Sequence, residues 1–131
     1  MKVIAFEPWH AQVMRLQPHQ KHIGGVEYLK LLRAHGPALT AVHDGKLIAC
    51  GGVAVGTLWG YIAEDSKRYF VPLDRIVRRL LLSCELPRVE ATVETNFYNG
   101  CRWLSLLGFT MKKTLPKYVE GQDHYLYEWV K

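Results

Sequence analysis

The sequence predicts a single α/β domain over residues 1–131, in which helices pack on a mixed sheet. Three observations lead to this fold class. Segments with the two-residue alternation of strands are interspersed with segments that have the helical period. The dipeptide Asp44-Gly45 separates two apolar runs, as in a tight hairpin. Strand–helix–strand steps occur in the second half of the chain, and such steps usually make parallel crossovers.

The chain begins with a predicted strand and two predicted helices. The strand covers residues 2–6, and Pro8 is suited to the first position of a short helix. We expect the apolar side of that helix to be formed by Trp9, Val13 and Leu16. A second helix is predicted over about residues 19–35 and ends before Gly36-Pro37. Its apolar stripe consists of Ile23, Val26, Leu29 and Leu32.

Three strands are predicted after the second helix. They cover residues 38–43, 46–53 and 58–62, with a turn near Gly56 between the last two. Asp-Gly is typical of a type I′ turn, because both central residues of that turn adopt positive φ. We therefore expect the first two strands to pair as a hairpin.

The second half of the chain alternates helices and strands. A helix is predicted to begin at or near Pro72, with an apolar stripe that ends at Cys84. A strictly alternating strand follows over residues 88–95, and a helix over about 97–107 ends at Gly108. Two closing strands cover residues 110–119 and 124–130, with a turn at 121–123. The predicted order is β-α-α-β-β-β-α-β-α-β-β.

Composition excludes several classes of protein and leaves the partner open. The chain carries 17 basic and 12 acidic residues, and its net charge of +5 favours an anionic partner. Three cysteines without a CxxC pair and six histidines without metal-ligand spacing predict neither a disulfide framework nor a metal site. The sequence contains no apolar run that predicts a membrane span or a signal peptide. We therefore expect a cytoplasmic protein that does not bind a membrane.

Two segments carry a resemblance to a known family. They are His43-Asp-Gly-Lys-Leu-Ile-Ala-Cys-Gly-Gly52, and Glu94-Thr-Asn96 followed by Cys101-Arg-Trp-Leu-Ser-Leu-Leu-Gly-Phe109. Together with the order of elements, they resemble the GNAT superfamily of N-acetyltransferases over nearly the whole chain. The resemblance implies a GNAT fold, acetyl-CoA as the acyl donor and an amine as the acceptor. Within the superfamily, the pattern is similar to GNAT-like proteins of podophages, some of them internal virion proteins.

The loop that holds the cofactor pyrophosphate differs from the pattern that the resemblance implies. GNAT proteins carry an Arg/Gln-x-x-Gly-x-Gly/Ala loop after the fourth strand, whose N–H groups contact the phosphates. The equivalent stretch is about residues 67–72, which contains no glycine. Phe70 and Pro72 stand about where glycines are expected, Pro72 lacks an N–H, and Val71 is expected to be extended.

Basic side chains could compensate for the missing glycines. Residues 66–88 hold six basic residues against two acidic ones, and this region contributes most of the excess positive charge. Lys67 and Arg68 could supply side-chain charge, or they could be two solvated loop residues. The candidate cofactor-binding residues are Lys67, Arg68, Arg75, Asn96 and Asn99.

The catalytic residues that the resemblance implies are also incomplete. GNAT enzymes often use a tyrosine four residues before the Gly of Leu-Gly-Phe as a general acid, and Leu104 stands there in this chain. Tyr98 on the same helix could substitute as the general acid, but the pattern favours a packing aromatic or a surface residue there. Candidate general bases are Glu64, Asp65 and Glu94, although the alternation of Glu90, Thr92 and Glu94 favours a solvated sheet face for Glu94.

Three functions stay open at this point. The first is an acetyl-CoA-dependent N-acetyltransferase, and the second is a catalytically inactive GNAT-fold phage protein that binds a protein partner or is a virion component. The third is nucleic-acid binding through the arginine-rich third helix, with Tyr69 and Phe70 stacking on bases. The third is the least favoured, because arginines on one helix face are typical of a solvated surface.

Overall fold

The computed structural model describes residues 1–16 and 25–131. Residues 19–24 of the second predicted helix, including Ile23, lie outside the described residues. The chain divides into two compact units, Met1–Cys84 and Glu85–Lys131, and each is described by itself. That residues 1–131 fold as one domain stays a prediction.

The first unit contains four strands in the order β1-β2-β3-β4. They are β1 (Lys2–Ala5), β2 (Ala38–His43), β3 (Lys46–Ala54) and β4 (Thr57–Ile62), and each pairs antiparallel with its neighbours in this order. The predicted hairpin is confirmed: Asp44 and Gly45 have φ of 49° and 75°, the positive values that a type I′ turn requires. Val55 and Gly56 repeat this geometry between β3 and β4, with φ of 50° and 77°.

Two helices cover one face of this sheet. They are α1 (Pro8–Val13) and α2 (Val26–Ala34), and both pack against β3. The core that they share with the sheet comprises Phe6, Ala11, Met14, Leu16, Leu29, Leu32, Cys50 and Ala54. The predicted burial of Leu16, Leu29 and Leu32 is thereby confirmed, whereas Val26 of the predicted stripe is 39% exposed at the first residue of α2.

The predicted apolar side of α1 is wrong for two of its three residues. Trp9 is 52% and Val13 63% exposed, whereas His10 and Ala11 are buried. The helix is turned this way because His10 is hydrogen-bonded on its inner side, where its Nδ1 lies 2.8 Å from the hydroxyl oxygen of Thr40 on β2. The contact of His10 with Thr40, together with the burial of Ala11 and Met14 in the core, therefore leaves Trp9 and Val13 on the outer side of this short helix.

The first unit ends with a long helix that begins earlier than predicted. A 3₁₀ turn over Lys67–Tyr69 leads directly into α3 (Phe70–Ser83). The predicted stripe is buried at Leu73, Leu80 and Leu81, and the following Cys84 is also buried. Val71 is helical and not extended, so the restriction that Pro72 imposes on the preceding residue is overcome here by the surrounding helix.

The second unit contains three strands and one helix. They are β5 (Arg88–Glu94), α4 (Tyr98–Leu106), β6 (Thr110–Val119) and β7 (Gln122–Val130). The strand order is β5-β7-β6, and β7 is antiparallel to both neighbours. Because β5 and β6 are both antiparallel to β7, they run parallel to each other, and α4 makes the predicted crossover between them. The closing turn is Glu120-Gly121, one residue earlier than predicted, with φ of 51° and 72°.

Local sequence fixes both ends of α4. Gly100 lies so close to the sheet that an added Cβ would meet the Phe97 ring and the Cγ2 atom of Val93. At the other end Gly108 has a φ of 100°, as predicted for the residue that ends the helix. The N–H of Phe109 donates to the Leu104 carbonyl and that of Gly108 to the Ser105 carbonyl, which is the Schellman arrangement.

The order of elements along the chain agrees with the prediction throughout. The described residues form the series β-α-α-β-β-β-α-β-α-β-β, with the 3₁₀ turn added before α3. The architecture is therefore mixed α/β, as the sequence predicts. Among the described residues, no helix has the length and apolar character to cross a membrane.

Candidate functional site

The start of α3 is anchored by a buried serine at the end of β4. Ala63 follows β4, and its N–H donates to the Ile48 carbonyl on β3 at 2.9 Å. Ser66 is only 2% exposed, and both its N–H and its hydroxyl donate to the Ala63 carbonyl. The Ser66 carbonyl then accepts the N–H of Tyr69 at 2.9 Å. The first helical turn is thus fixed to the sheet through backbone groups and one hydroxyl.

This anchoring leaves backbone donors at the start of the helical segment. The bond from Tyr69 to Ser66 is the first of the 3₁₀ turn, so the N–H groups of Lys67 and Arg68 have no partner within that turn. No side chain caps the turn at Ser66 or the helix at Tyr69. Free N–H groups and the positive end of the helix dipole make such a position favourable for an anion.

Four exposed basic side chains add charge along this segment. They are Lys67, Arg68, Arg75 and Arg79, and none of them forms an ion pair with an acidic residue in the part of the chain that the structure describes. By contrast, Arg78 bonds Asp74 at 2.7 Å on the same helix. Exposed positive charge is therefore concentrated on the 3₁₀ turn and on one part of α3, and the charge of Arg68 also contributes to lowering the pKa of Asp65.

An aromatic ring holds Arg68 in place. The Arg68 guanidinium carbon lies 5.0 Å from the centre of the Tyr69 ring, within the range of a cation–π contact. The imidazole of His43 lies 5.1 Å from the same ring, centre to centre. Tyr69 thus contacts His43 of β2 and also orders a basic side chain. The stacking of Tyr69 on a nucleic-acid base stays a prediction.

The predicted phosphate loop over residues 67–72 is not a loop. It consists of the 3₁₀ turn and the first three residues of α3, and the N–H of Phe70 donates to the Lys67 carbonyl. Phe70 is 40% exposed, and Pro72 is the third residue of the helix. The missing N–H of Pro72 consequently lies inside the helix and takes no donor away from the start of the turn.

The acidic candidates after β4 are already engaged. The Glu64 N–H donates to the Arg15 carbonyl at 2.7 Å, and the Glu64 carboxylate lies 3.6 Å from the Arg15 guanidinium. Its side chain is 44% exposed, so this ion pair is open to solvent. Asp65 pairs with Lys46 at 3.2 Å, and the hydrogen bond and charge of Lys46 lower the pKa of Asp65. Both carboxylates are accessible, and Asp65 is held in its ionised form.

The candidates of the second unit lie in one turn between β5 and α4. Glu94 is the last residue of β5 and is half-buried, whereas Asn96 and Asn99 are exposed. The Glu94 carbonyl accepts the N–H of Phe97 at 3.0 Å, and the thiol of Cys101 lies 3.9 Å from it. The turn is therefore closed by its backbone, and its polar side chains are left for other contacts.

The two positions considered for a general acid are unequal. Leu104 lies within α4 and carries no proton to donate, whereas Tyr98 begins the helix and is 78% exposed. A third hydroxyl, Tyr127 on β7, is buried and hydrogen-bonds the side chains of Cys101 and Ser105. Burial, followed by the bond to Cys101, raises the pKa of Tyr127. Tyr127 is not among the candidates predicted from the sequence, although the alternation of Tyr125, Tyr127 and Trp129 indicates a buried aromatic face.

The structure thus brings the sequence-predicted residues into two groups. Glu64, Lys67, Arg68 and Arg75 lie along the turn and helix after β4, and Glu94, Asn96, Tyr98 and Asn99 lie along the turn and helix after β5. In the described ranges, no group of three or more His, Cys, Asp or Glu side chains is arranged to hold a metal ion.

Comparison with solved structures decides the fold. Ard1 from Thermoplasma volcanium superposes with a TM-score of 0.81 at 15% identity, over 98% of this chain and 96% of that chain. The ribosomal-protein-S18-alanine N-acetyltransferase from Escherichia coli superposes with a TM-score of 0.78 at 14% identity. The superposition covers 98% of this chain and 92% of that chain. An acetyltransferase of the GNAT family from Streptococcus pneumoniae superposes with a TM-score of 0.69 at 16% identity, over 98% of each chain.

The chain has the GNAT fold. The expected fold is therefore confirmed over nearly the whole chain. No protein-family model and no curated protein sequence matches the chain. At these identities the likeness establishes the GNAT architecture, and the residues after β4 and β5 have to be judged on their own chemistry.

Proposed function

We propose that the chain is an N-acetyltransferase that binds acetyl-CoA at the start of α3 and transfers its acetyl group to an amine. The observation that carries the proposal is the combination at Lys67 and Arg68 of backbone N–H groups left open by the 3₁₀ turn with exposed basic side chains. A pyrophosphate needs both donors and positive charge. The GNAT architecture, which solved acetyltransferases share, supports acetyl-CoA as the source of that pyrophosphate.

In this proposal, side-chain charge replaces the glycine-rich cradle. The N–H groups of Lys67 and Arg68 donate to phosphate oxygens, and their side chains neutralise the phosphate charge from the exposed side of the turn. Arg68 is already ordered by the Tyr69 ring, so less side-chain entropy is lost when it binds. Arg75, two helical turns further along α3, attracts the phosphate groups from a longer distance through its positive charge.

The transfer step requires one proton acceptor and one proton donor. In the first unit Glu64 is the candidate proton acceptor: it removes a proton from the acceptor amine, directly or through water, so that the amine nitrogen can attack the thioester carbonyl carbon. The carbon–sulfur bond then breaks, and the thiolate takes up a proton. The second unit carries Glu94 as the alternative proton acceptor and the exposed hydroxyl of Tyr98 as the candidate proton donor. Asn96 and Asn99 offer amide groups at the same turn for contacts to the donor or the acceptor.

Calorimetric titration with acetyl-CoA tests the binding step. The variant that changes both Lys67 and Arg68 to Ala is expected to bind at least about tenfold more weakly, because hydrogen bonds to charged groups are each worth about 1.5–3 kcal/mol. Arg79→Ala is the matched control, since it removes a positive charge from the same helix two turns or more beyond the proposed site. Absence of binding to the unaltered protein at high acetyl-CoA concentration would exclude the proposal.

A second candidate function is that of an inactive binding protein with the GNAT fold. It is favoured by Leu104, which stands where many GNAT enzymes have a tyrosine, and by the exposure of Tyr98. Its partner would be a protein of the infected cell or of the virion, as the resemblance to podophage proteins implies. Release of CoA from acetyl-CoA in the presence of a peptide with a free N-terminal alanine, or of another amine, would exclude this second function.

A further inference from the structure

The start of α1 is held by an unusual reciprocal cap. The backbone N–H of His10 donates to the Glu7 carbonyl at 2.9 Å, and the Glu7 N–H donates to the imidazole Nδ1 of His10 at 3.0 Å, in the reciprocal arrangement of a capping box. In most such capping boxes the residue in the position of His10 is Glu or Gln, whose oxygen always remains an acceptor. Imidazole differs from them, because protonation converts both of its nitrogens into donors.

The hydrogen bonds define the protonation state that the folded chain requires. A backbone N–H can only donate, so Nδ1 of His10 must be the unprotonated nitrogen and the ring proton must lie on Nε2. The hydroxyl of Thr40, 2.8 Å from the same Nδ1, connects this cap to β2. Neutral His10 therefore performs two tasks at once: it caps α1 and attaches it to the sheet.

The surroundings of His10 disfavour its charged form. The residue is 2% exposed, and the rings of Trp9 and Phe6 pack against it with centroids 4.4 and 6.1 Å away. Its position in the first turn of α1 also places a positive charge at the wrong end of the helix dipole. The acidic group that opposes these effects is Glu7, whereas β2 contributes the uncharged hydroxyl of Thr40. Burial dominates and lowers the pKa of His10.

We propose that His10 is an acid-sensitive latch: its neutral imidazole holds α1 against β2, and its protonation in mild acid releases α1 while the sheet of the first unit stays folded. The device acts on the helix alone, because the imidazole joins α1 to Thr40 but takes no part in the pairing of β2 with β3. This inference does not depend on the proposed acetyl transfer.

The direction of the pH dependence follows from linkage. Because the pKa of His10 is lowered when α1 is attached, the released form binds more protons below the ordinary value of 6.5. The attachment is therefore fully present above pH 6.5 and is lost as the pH falls below it. Since one group titrates, the equilibrium for release increases by at most about tenfold per pH unit.

Hydrogen exchange measured residue by residue tests the latch. From about pH 7.5 to about pH 5, protection of the α1 amides, corrected for intrinsic exchange, is expected to decrease by up to about tenfold per pH unit below about pH 6.5. Protection of the β3 amides is expected to stay constant. Protection of α1 that does not change with pH, or a parallel loss in β3, would overturn the proposal.

Two variants separate His10 from the other histidines. His10→Asn places an amide oxygen at the position of Nδ1, so it keeps the acceptor but cannot titrate, and its α1 protection should not change with pH. His43→Asn removes a more exposed histidine, so its α1 amides should lose protection on acidification as they do in the unaltered protein. The latch would be refuted if α1 protection still decreased with pH in His10→Asn, or if it no longer decreased in His43→Asn.

Should His10→Asn fail to fold, the unaltered protein still provides a decisive measurement. The His10 ring and the Glu7 amide, followed by NMR, are expected to titrate together with a midpoint below 6.5. A midpoint at or above 6.5, or a Glu7 amide that does not respond, would overturn the proposal equally.

Discussion

Replacement of Val55 by Asn is expected to stabilise the protein. Val55 is the first residue of the two-residue turn between β3 and β4 and has a φ of 50°. A β-branched residue in this left-handed region is strained, because its Cβ substituents approach the following carbonyl. Asparagine tolerates the same backbone conformation. The side chain of Val55 is 81% exposed, so the substitution removes little packing.

The expected change in the free energy of unfolding follows from the φ and the exposure of Val55. The left-handed conformation costs a residue other than glycine about 1–2 kcal/mol, and asparagine avoids part of that cost. We expect a net increase of about 1 kcal/mol in the free energy of unfolding. With an unfolding entropy of about 2.1 cal/mol/K per residue, this increase corresponds to about 4 °C in Tm for a chain of 131 residues.

Thermal unfolding followed by circular dichroism measures the shift. Val130→Asn is the matched control, because Val130 is 63% exposed at the end of β7 and does not have a positive φ. The control is expected to leave Tm unchanged or to lower it, since asparagine is unfavourable in a strand. A Tm of Val55→Asn equal to or below that of the unaltered protein, or an equal increase in both variants, would refute the reasoning from backbone strain.

Three further outcomes test packing and cysteine chemistry. Gly52→Ala is expected to lower the free energy of unfolding by about 2–3 kcal/mol in urea titrations, since an added Cβ would overlap the Pro37 carbonyl oxygen; a loss below about 0.5 kcal/mol would contradict this. Leu81→Ala, which empties a site that is 1% exposed, should cost about 3 kcal/mol by the same method, and a cost below about 1 kcal/mol would contradict it. Burial raises the pKa of Cys50 to about 12, so a thiol reagent applied to the native protein should modify the less buried Cys101 first, as peptide mass spectrometry would show; earlier modification of Cys50 would be the contrary result.

Turn chemistry explains why most of the fold was predictable. Asp44-Gly45 has the side chains that a type I′ turn favours, so the hairpin could be placed to the residue. The final turn could be placed only approximately, because Glu120 adopts a φ of 51° without any preference for that region. The strict alternation of apolar and polar residues in β5 predicts which face of the strand is buried, and Val89, Ala91 and Val93 on that face are all buried.

The errors arose where a tertiary contact outweighed a local pattern. The spacing of Trp9 and Val13, four residues apart, predicts that they share the apolar side of α1. The hydrogen bond of His10 to Thr40 joins residues thirty positions apart in the sequence, so the local pattern does not indicate it. The sequence predicts a start of α3 at or near Pro72, because proline favours the first turn of a helix. The actual start depends on the buried Ser66 and its bonds to Ala63, which local propensity does not report.

The same shift in the start of α3 changes the argument about the missing glycines. From the sequence alone, Pro72 is expected to remove a donor from the phosphate site, because it stands where the loop should present an N–H. In the structure the helical segment begins at Lys67, and its open N–H groups belong to Lys67 and Arg68. Glycine is needed where a phosphate must approach a backbone that runs past it, whereas a helix start directs its N–H groups outward whatever the side chains. A glycine-free segment is therefore compatible with phosphate binding, provided that the anion lies at the end of the helix.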